Sequence, residues 1–242
     1  MKRKTIFLIL IIYSTNIFAS VNVNKNFFLE EKKINFSNIR NQLKEKKTNE
    51  IIKNLKKLEK QPLKKKTIEK IKMYIIYLYV INKNFFLALQ KIHEFKKIYP
   101  NNSNMDYILY LEAILHMSLD QNFLFGLFKI NNCENDPIHS IQALMVFLKL
   151  ISIYPNSPYS KIAKKQLFYI KNRLAEHDFT ILEFYYTKKA YQAVIDRGKD
   201  IIKNYLDTIY VKKTLFLMKN SYYKTNQISK SKEIEKIISY NS

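Results

Sequence analysis

The chain has 242 residues, with 42 Lys and Arg against 20 Asp and Glu, for a formal net charge of +22. Its single cysteine, Cys133, excludes an intrachain disulfide and a thiolate zinc cluster, and its two glycines, Gly126 and Gly198, exclude a GxGxxG or GxxxxGK phosphate loop. A hydrophobic share of 47% and an aromatic share of 14% are too high for a disordered chain, and scarce Gly and Pro favour helices.

The first element is an export signal. Lys2-Arg3-Lys4 is a basic start, Ile6 to Ile12 is a continuous apolar run, and Ile17-Phe18-Ala19-Ser20 ends in small residues, which places cleavage between Ala19 and Ser20. The apolar run falls short of the roughly 20 residues that span a bilayer. Residues 1–19 are therefore expected to be a signal peptide and 20–34 a linker, leaving an exported, water-soluble body. The positive charge is not a nucleic-acid signature. Only Arg3, Arg40, Arg173 and Arg197 are arginines, the lysines are spread along the chain, and abundant Lys, Asn and Ile are what AT-rich codons encode.

From residue 35 the apolar spacing is helical. Phe36, Ile39 and Leu43 form one stripe, and Ile51, Ile52, Leu55 and Leu58 form a second. No sustained alternation and no Asn-Gly or Asp-Gly hairpin signal appears. Farther on, a phrase repeats: Ile98-Tyr99-Pro100-Asn101 returns as Ile153-Tyr154-Pro155-Asn156, and in degraded form as Asn204-Tyr205-Leu206-Asp207. Ala88, Ile92, Phe95 and Pro100 keep the same intervals as Ala143, Phe147, Leu150 and Pro155, and as Val194, Gly198, Ile201 and Leu206. This is the second helix of a tetratricopeptide unit, where a small residue admits a neighbouring helix and a proline ends the run. An aromatic stands nine residues before the small position in Tyr79/Ala88, Tyr185/Val194 and Tyr222/Ser231. The third unit is interrupted at residues 120–136. The predicted fold is all-α, a tetratricopeptide-like array of about five helix hairpins over 35–242, with an N-terminal half 35–118, the insertion 120–136, and a C-terminal half 137–242.

No enzyme is legible. His93, His116, His139 and His177 lie far apart, without an HExxH or a nucleophile elbow, and His139 near Cys133 and Asp136 only imitates a catalytic set. No catalytic residue, metal ligand or cofactor is assigned. Asn156-Ser157 is expected to cap the next helix, and Arg173 to be a helix-end charge bonded within the array.

Particular segments then carry a resemblance. Ile98-Tyr99-Pro100 with Asn104-Met105-Asp106-Tyr107, Asn135-Asp136-Pro137-Ile138-His139, Tyr154-Pro155-Asn156-Ser157-Pro158-Tyr159, Ile170-Lys171-Asn172-Arg173-Leu174-Ala175 and Glu183-Phe184-Tyr185-Tyr186 are similar to successive motifs of the BamD (YfiO) family. That family supplies the tetratricopeptide component of the outer-membrane β-barrel assembly machine. The resemblance is strong over roughly 98–208 and weaker over 35–97. It implies a non-enzymatic scaffold at the periplasmic face of the outer membrane. Its implied partners are the POTRA region of a BamA-type barrel protein and unfolded outer-membrane proteins, with no nucleic acid. Arg197 occupies the family's arginine on the second helix of the fourth repeat, so the resemblance implies contact with an acidic POTRA surface, aided by Lys188 and Lys189. The competing reading pairs Arg197 with Asp196 or Asp200. Tyr74 and Tyr77 are candidates for a substrate groove, whereas Tyr79 is expected to pack within its repeat. Several features depart from the family. Ser20 replaces the lipid-bearing cysteine, so no lipid anchor is expected there. The insertion reads Leu127-Phe128-Lys129-Ile130-Asn131-Asn132-Cys133, and the family's Arg-Gly-Ala-Trp turn reads Lys189-Ala190-Tyr191 with its glycine missing. The rival reading is a generic periplasmic repeat adaptor for envelope or peptidoglycan-associated proteins.

Overall fold

The structure, a computed structural model, describes residues 48–120 and 136–240. The signal and linker with Ala19 and Ser20, the stripe from Phe36 to Leu43, and residues 121–135 of the insertion lie outside the described residues. Every regular element among the described residues is a helix: α1 (Thr48–Glu59), α2 (Lys65–Ile81), α3 (Phe85–Ile98), α4 (Met105–Leu119), α5 (Ile138–Ile153), α6 (Pro158–Thr187), α7 (Tyr191–Asn204), α8 (Tyr210–Lys224) and α9 (Ile228–Tyr240). The fold is the expected all-α, tetratricopeptide-like one. After the lone helix α1, a tight turn joins α2 to α3, and α4–α5, α6–α7 and α8–α9 pack as hairpins.

The nine-residue spacing from aromatic to small residue has a structural cause. Where α2 leads to α3, α6 to α7 and α8 to α9, the tyrosine sits in the last turn of the first helix, and its carbonyl accepts a bond from the amide five residues on. The pairs are Asn84 N to Tyr79 O at 2.9 Å, Ala190 N to Tyr185 O at 3.0 Å and Gln227 N to Tyr222 O at 2.9 Å. The residue just before each donor is left-handed: Lys83 at φ 56°, Lys189 at φ 58° and Asn226 at φ 58°. This is the helix-ending turn that glycine usually fills. The next helix starts at once, with Ala88, Val194 and Ser231 donating to Asn84, Ala190 and Gln227. The small residue thus lies one turn into the second helix, where the two helices of a hairpin come closest. Ala88, Ala143 and Val194 are fully buried.

The second helices end in register too. Tyr99, Tyr154 and Tyr205 donate to Phe95, Leu150 and Ile201, and their carbonyls accept from Asn102, Ser157 and Thr208. Pro100, Pro155 and Leu206 are the exposed residues that follow. Ser157 caps α6, accepting from Tyr159 N at 3.2 Å with Pro158 at the first helical position. Its hydroxyl also donates to Asp106 of α4 at 2.7 Å, beside the stacked rings of Tyr110 and Tyr159.

The described residues form two compact units that divide between Lys91 and Ile92, within α3 and upstream of the insertion. In the N-terminal unit α1 packs on α2 through Ile51, Ile52 and Leu55, and Lys72 pairs with Glu59. In the C-terminal unit α4 through α9 pack in sequence, each helix on the next, and the first helices also meet: α4 with α6 and α6 with α8. α6 is one continuous helix of 30 residues, about 45 Å long and far longer than one repeat needs. Its buried residues Ala163, Ile170, Leu174, Phe179 and Leu182 serve two successive hairpins. Lys171 and Asn172, near its middle, hold the α7–α8 loop at Asp207 (2.9 Å) and at Ile209 N (3.4 Å).

Arg173 is not at a helix end. It lies inside α6 and is buried, with Nε and Nη2 lacking a hydrogen-bond partner among the described residues. Burial of Ile170 and Leu174 on the same stretch draws it inside.

Gly198 shows how the repeat tolerates an irregular residue. It falls where the equivalent helices carry Ile92 and Phe147, both fully buried. A Cβ added here would meet Met218 Sδ, Met218 Cγ at 2.5 Å and Thr214 Cγ2 at 3.3 Å. Met218 of α8 therefore fills the volume that the helix's own side chain would occupy, and joins Ile195, Leu215, Tyr222 and Ile234 in one cluster. Gly198→Val should overpack this contact and cost about 2 kcal/mol, or roughly 4–8 °C in Tm. In a double-mutant cycle with Met218→Ala the two losses should fall short of additivity by about 1 kcal/mol. Strict additivity in thermal melts would show that the two side chains do not share the space.

Candidate partner-binding site

The end of α6 carries three consecutive rings, Phe184, Tyr185 and Tyr186, and three residues separate it from α7. The hairpin therefore gathers its cations onto its rings. Arg197 is exposed on α7, and its guanidinium carbon lies 5.1 Å from the centroid of the Tyr185 ring. Lys188, at the end of α6, lies 5.6 Å from the centroid of Phe184, itself exposed. Phe184 and Tyr185 meet edge to face at 5.8 Å. Lys189 is exposed at the left-handed turn position. A cation over a ring face is attracted by the ring quadrupole, which orders the guanidinium without consuming its hydrogen-bond donors.

Asp196, the nearest acid in sequence, is engaged elsewhere. Its carboxylate accepts from Gln192 at 3.0 Å and from Lys199 at 3.2 Å, and these bonds hold its pKa below the ordinary value, Gln192 first and Lys199 second. Among the described residues no carboxylate pairs with Arg197. The result is a cationic, aromatic surface on one hairpin, suited to bidentate capture of an acidic side chain.

The tyrosines of α2 fall differently. Tyr74 is buried in the N-terminal unit and meets Tyr77 edge to face at 6.3 Å. Tyr77 is half-buried. Tyr79 is buried, with Lys56 of α1 5.6 Å from its centroid, in keeping with a packing residue. Of the pair considered for a groove, Tyr77 alone keeps substantial exposed surface. Tyr185 is half-buried and packs against the cluster of Phe179, Leu182, Val194 and Ile201.

A polar cluster runs along α4, facing α3 at one end and α5 at the other, and brings together histidines that are scattered in the sequence. His116 Nδ1 and His139 Nδ1 stand 3.2 Å apart, their ring centroids separated by 5.4 Å. One turn earlier, buried Glu112 accepts from Lys96 at 2.6 Å on both oxygens, with His93 Nε2 at 3.7 Å. One turn later, buried Asp120 accepts from Ser140. The available signal was the spacing of Glu112, His116 and Asp120, a polar stripe at i, i+4 and i+8 on an otherwise apolar helix. His139 thus faces His116. Cys133, its imagined partner, lies outside the described residues.

The model of a family described as "YfiO: Outer membrane lipoprotein" matches residues 30–237. An "Outer membrane protein assembly factor BamD" from Buchnera aphidicola subsp. Acyrthosiphon pisum (strain APS) is 36% identical over 241 residues, covering 99% of this chain and 98% of the relative. The protein of that description from Vibrio cholerae serotype O1 is 35% identical over 169 residues, 69% of this chain and 70% of its own length. Its counterpart from Haemophilus influenzae is 29% identical over 173 residues, 72% and 66% of the two chains.

The histidine cluster sets a pH dependence. Burial, above all, lowers the His116 pKa to about 4; Glu112 opposes the shift, while His139, His93 and Lys96 add to it. Above the ordinary value of 6.5 the ring is neutral folded or unfolded. Below it the unfolded chain takes up a proton that the folded chain refuses until about pH 4, so folding stability falls as the pH drops through this window. The loss should reach about 2 kcal/mol by pH 5. Denaturant titrations of wild type and His116→Asn at pH 7.5 and pH 5 should show the variant losing about 2 kcal/mol less than wild type over that interval. Equal losses in the two proteins would refute the assignment.

Proposed function

The chain belongs to the YfiO family of outer membrane lipoproteins, and from that membership we propose that it serves outer-membrane protein assembly as a non-enzymatic scaffold. In this reading the α6–α7 hairpin grips a BamA-type barrel protein through an acidic face of its periplasmic POTRA region. Arg197 makes the central pair, and Lys188 and Lys189 add to the local positive potential. The observation that supports it most is the state of Arg197: exposed, ordered over Tyr185, and unclaimed by any carboxylate among the described residues. A guanidinium pre-aligned on a ring loses little rotamer freedom when it binds, and its planar fork matches a carboxylate better than an ammonium does.

The N-terminal unit is the proposed receiving surface for unfolded outer-membrane proteins, with Tyr77 as its available ring. No bond is made or broken. The scaffold acts by holding client and barrel protein on one chain, which raises their local concentration, and by favouring the partner conformation it binds best. The site of action is the periplasmic face of the outer membrane. Among the described residues no helix is long and apolar enough to cross a membrane.

Co-purification of the tagged full chain from detergent-solubilised envelopes tests this reading. A BamA-type barrel protein should be recovered with wild type. Arg197→Glu should cut recovery about tenfold or more, because a like-charge contact replaces a paired one, and Arg197→Lys should lie between the two. Circular dichroism melts should show all three proteins equally folded, since residue 197 is exposed. Undiminished recovery by Arg197→Glu would remove the site assignment, and absence of the barrel protein from the wild-type eluate would remove the proposed partner.

A further inference from the structure

In the C-terminal unit, α5, α7 and α9 hold equivalent places, each the second helix of its hairpin. α7 turns Gln192, Asp196, Lys199 and Lys203 outward, and α9 turns Lys232, Glu233, Glu235 and Lys236 outward, with Ile228, Ile237 and Tyr240 exposed towards its ends. α5 breaks this pattern. Ile138, Ile141, Met145, Leu148 and Ile153 stand 42% to 59% exposed. Their spacing of three, four, three and five puts them on one side of the helix, away from the buried Ala143, Phe147 and Leu150. The stripe runs about 22 Å along the helix. Single exposed apolar residues are ordinary, but five on one face of a helix, interspersed with exposed Gln142, Lys149 and Ser152, mark a contact surface.

We propose that this face of α5 docks on the surface of an anionic phospholipid bilayer. Charge points to that occupant. A chain of net charge +22 repels a second copy of itself and is drawn to phosphate headgroups. Lys149 is exposed between Leu148 and Ile153, and Lys161, Lys164 and Lys165 are exposed in the first two turns of α6, directly after α5. A lysine in an apolar row suits an interface, where its methylenes lie with the acyl chains and its ammonium reaches the headgroups. At 16 residues α5 is too short to span a bilayer and is suited to lying in its plane. The docking is independent of the barrel-protein contact proposed for Arg197, which sits on another hairpin.

Co-sedimentation of the full chain with vesicles tests this inference, in a mixture that contains no barrel protein. Vesicles of phosphatidylethanolamine with phosphatidylglycerol should bind the wild type, vesicles of phosphatidylcholine alone should bind it weakly, and salt should lower but not abolish the difference. Met145→Ser with Leu148→Ser should reduce the fraction bound to anionic vesicles about fivefold or more. Ile141→Gln, a single exposed change, provides the same test should the double variant melt early. Failure of wild type to bind anionic vesicles would overturn the proposal. So would undiminished binding by the stripe variants, which would reduce the effect to net charge. Self-association of the wild type in sedimentation velocity, abolished by the same substitutions, would reassign the face to a second copy of the chain.

Discussion

The fold depends on the close approach of two helices at a small side chain, set up by a turn that leaves only one residue left-handed. At Tyr79, Tyr185 and Tyr222 a carbonyl in the last turn of the first helix is satisfied by the amide just before the second helix. The turn therefore leaves few backbone groups unpaired and fixes the phase of the second helix. With phase fixed, the residue four positions past the donor must face the first helix. It can only be small, and Ala88, Val194 and Ser231 satisfy that condition. Neither helix of such a pair can bury its apolar stripe alone, so the next hairpin must supply the remaining cover.

That dependence makes the variations between hairpins informative. Gly198 removes a side chain where the equivalent helices carry Ile92 and Phe147, and the core closes by admitting Met218 from the next hairpin. Along α4 the interior instead holds Glu112 on Lys96 of α3 and, against α5, two further polar pairs: His116 on His139 and Asp120 on Ser140. Such pairs gain little over apolar packing but are costly to break, since the partner left behind is buried and unpaired. The two against α5 lock it to α4 at the two ends of the insertion, so that whatever residues 121–135 do, the helices on either side stay in register.

The functional surfaces are built from what this packing leaves outside. At the α6–α7 hairpin the exposed ring of Phe184 and the half-buried ring of Tyr185 collect Lys188 and Arg197, while Lys199 and Gln192 occupy Asp196. The acid beside Arg197 in the sequence therefore does not neutralise it. On α5 the outward face is apolar instead. One array thus presents two chemically distinct surfaces, a charged one suited to a folded protein partner and an apolar one flanked by lysines, without any change in backbone design.

The helical class, the hairpin register and the small positions were determined by the sequence itself. Each rests on contacts within about a dozen residues, and so leaves a local spacing that can be read, as in Tyr79 to Ala88. The cap at Ser157 belongs with them. The burial of Arg173, the pairing of His116 with His139, the entry of Met218 beside Gly198, the unbroken 30-residue α6 and the exposed stripe of α5 were decided only by the tertiary structure. The physical reason is that a helical pattern shows which residues share a face, but not what covers that face. Ile138 and Ile141 look like core until, among the described residues, no helix lies over them, and Arg173 looks like surface until the residues around it are drawn inside.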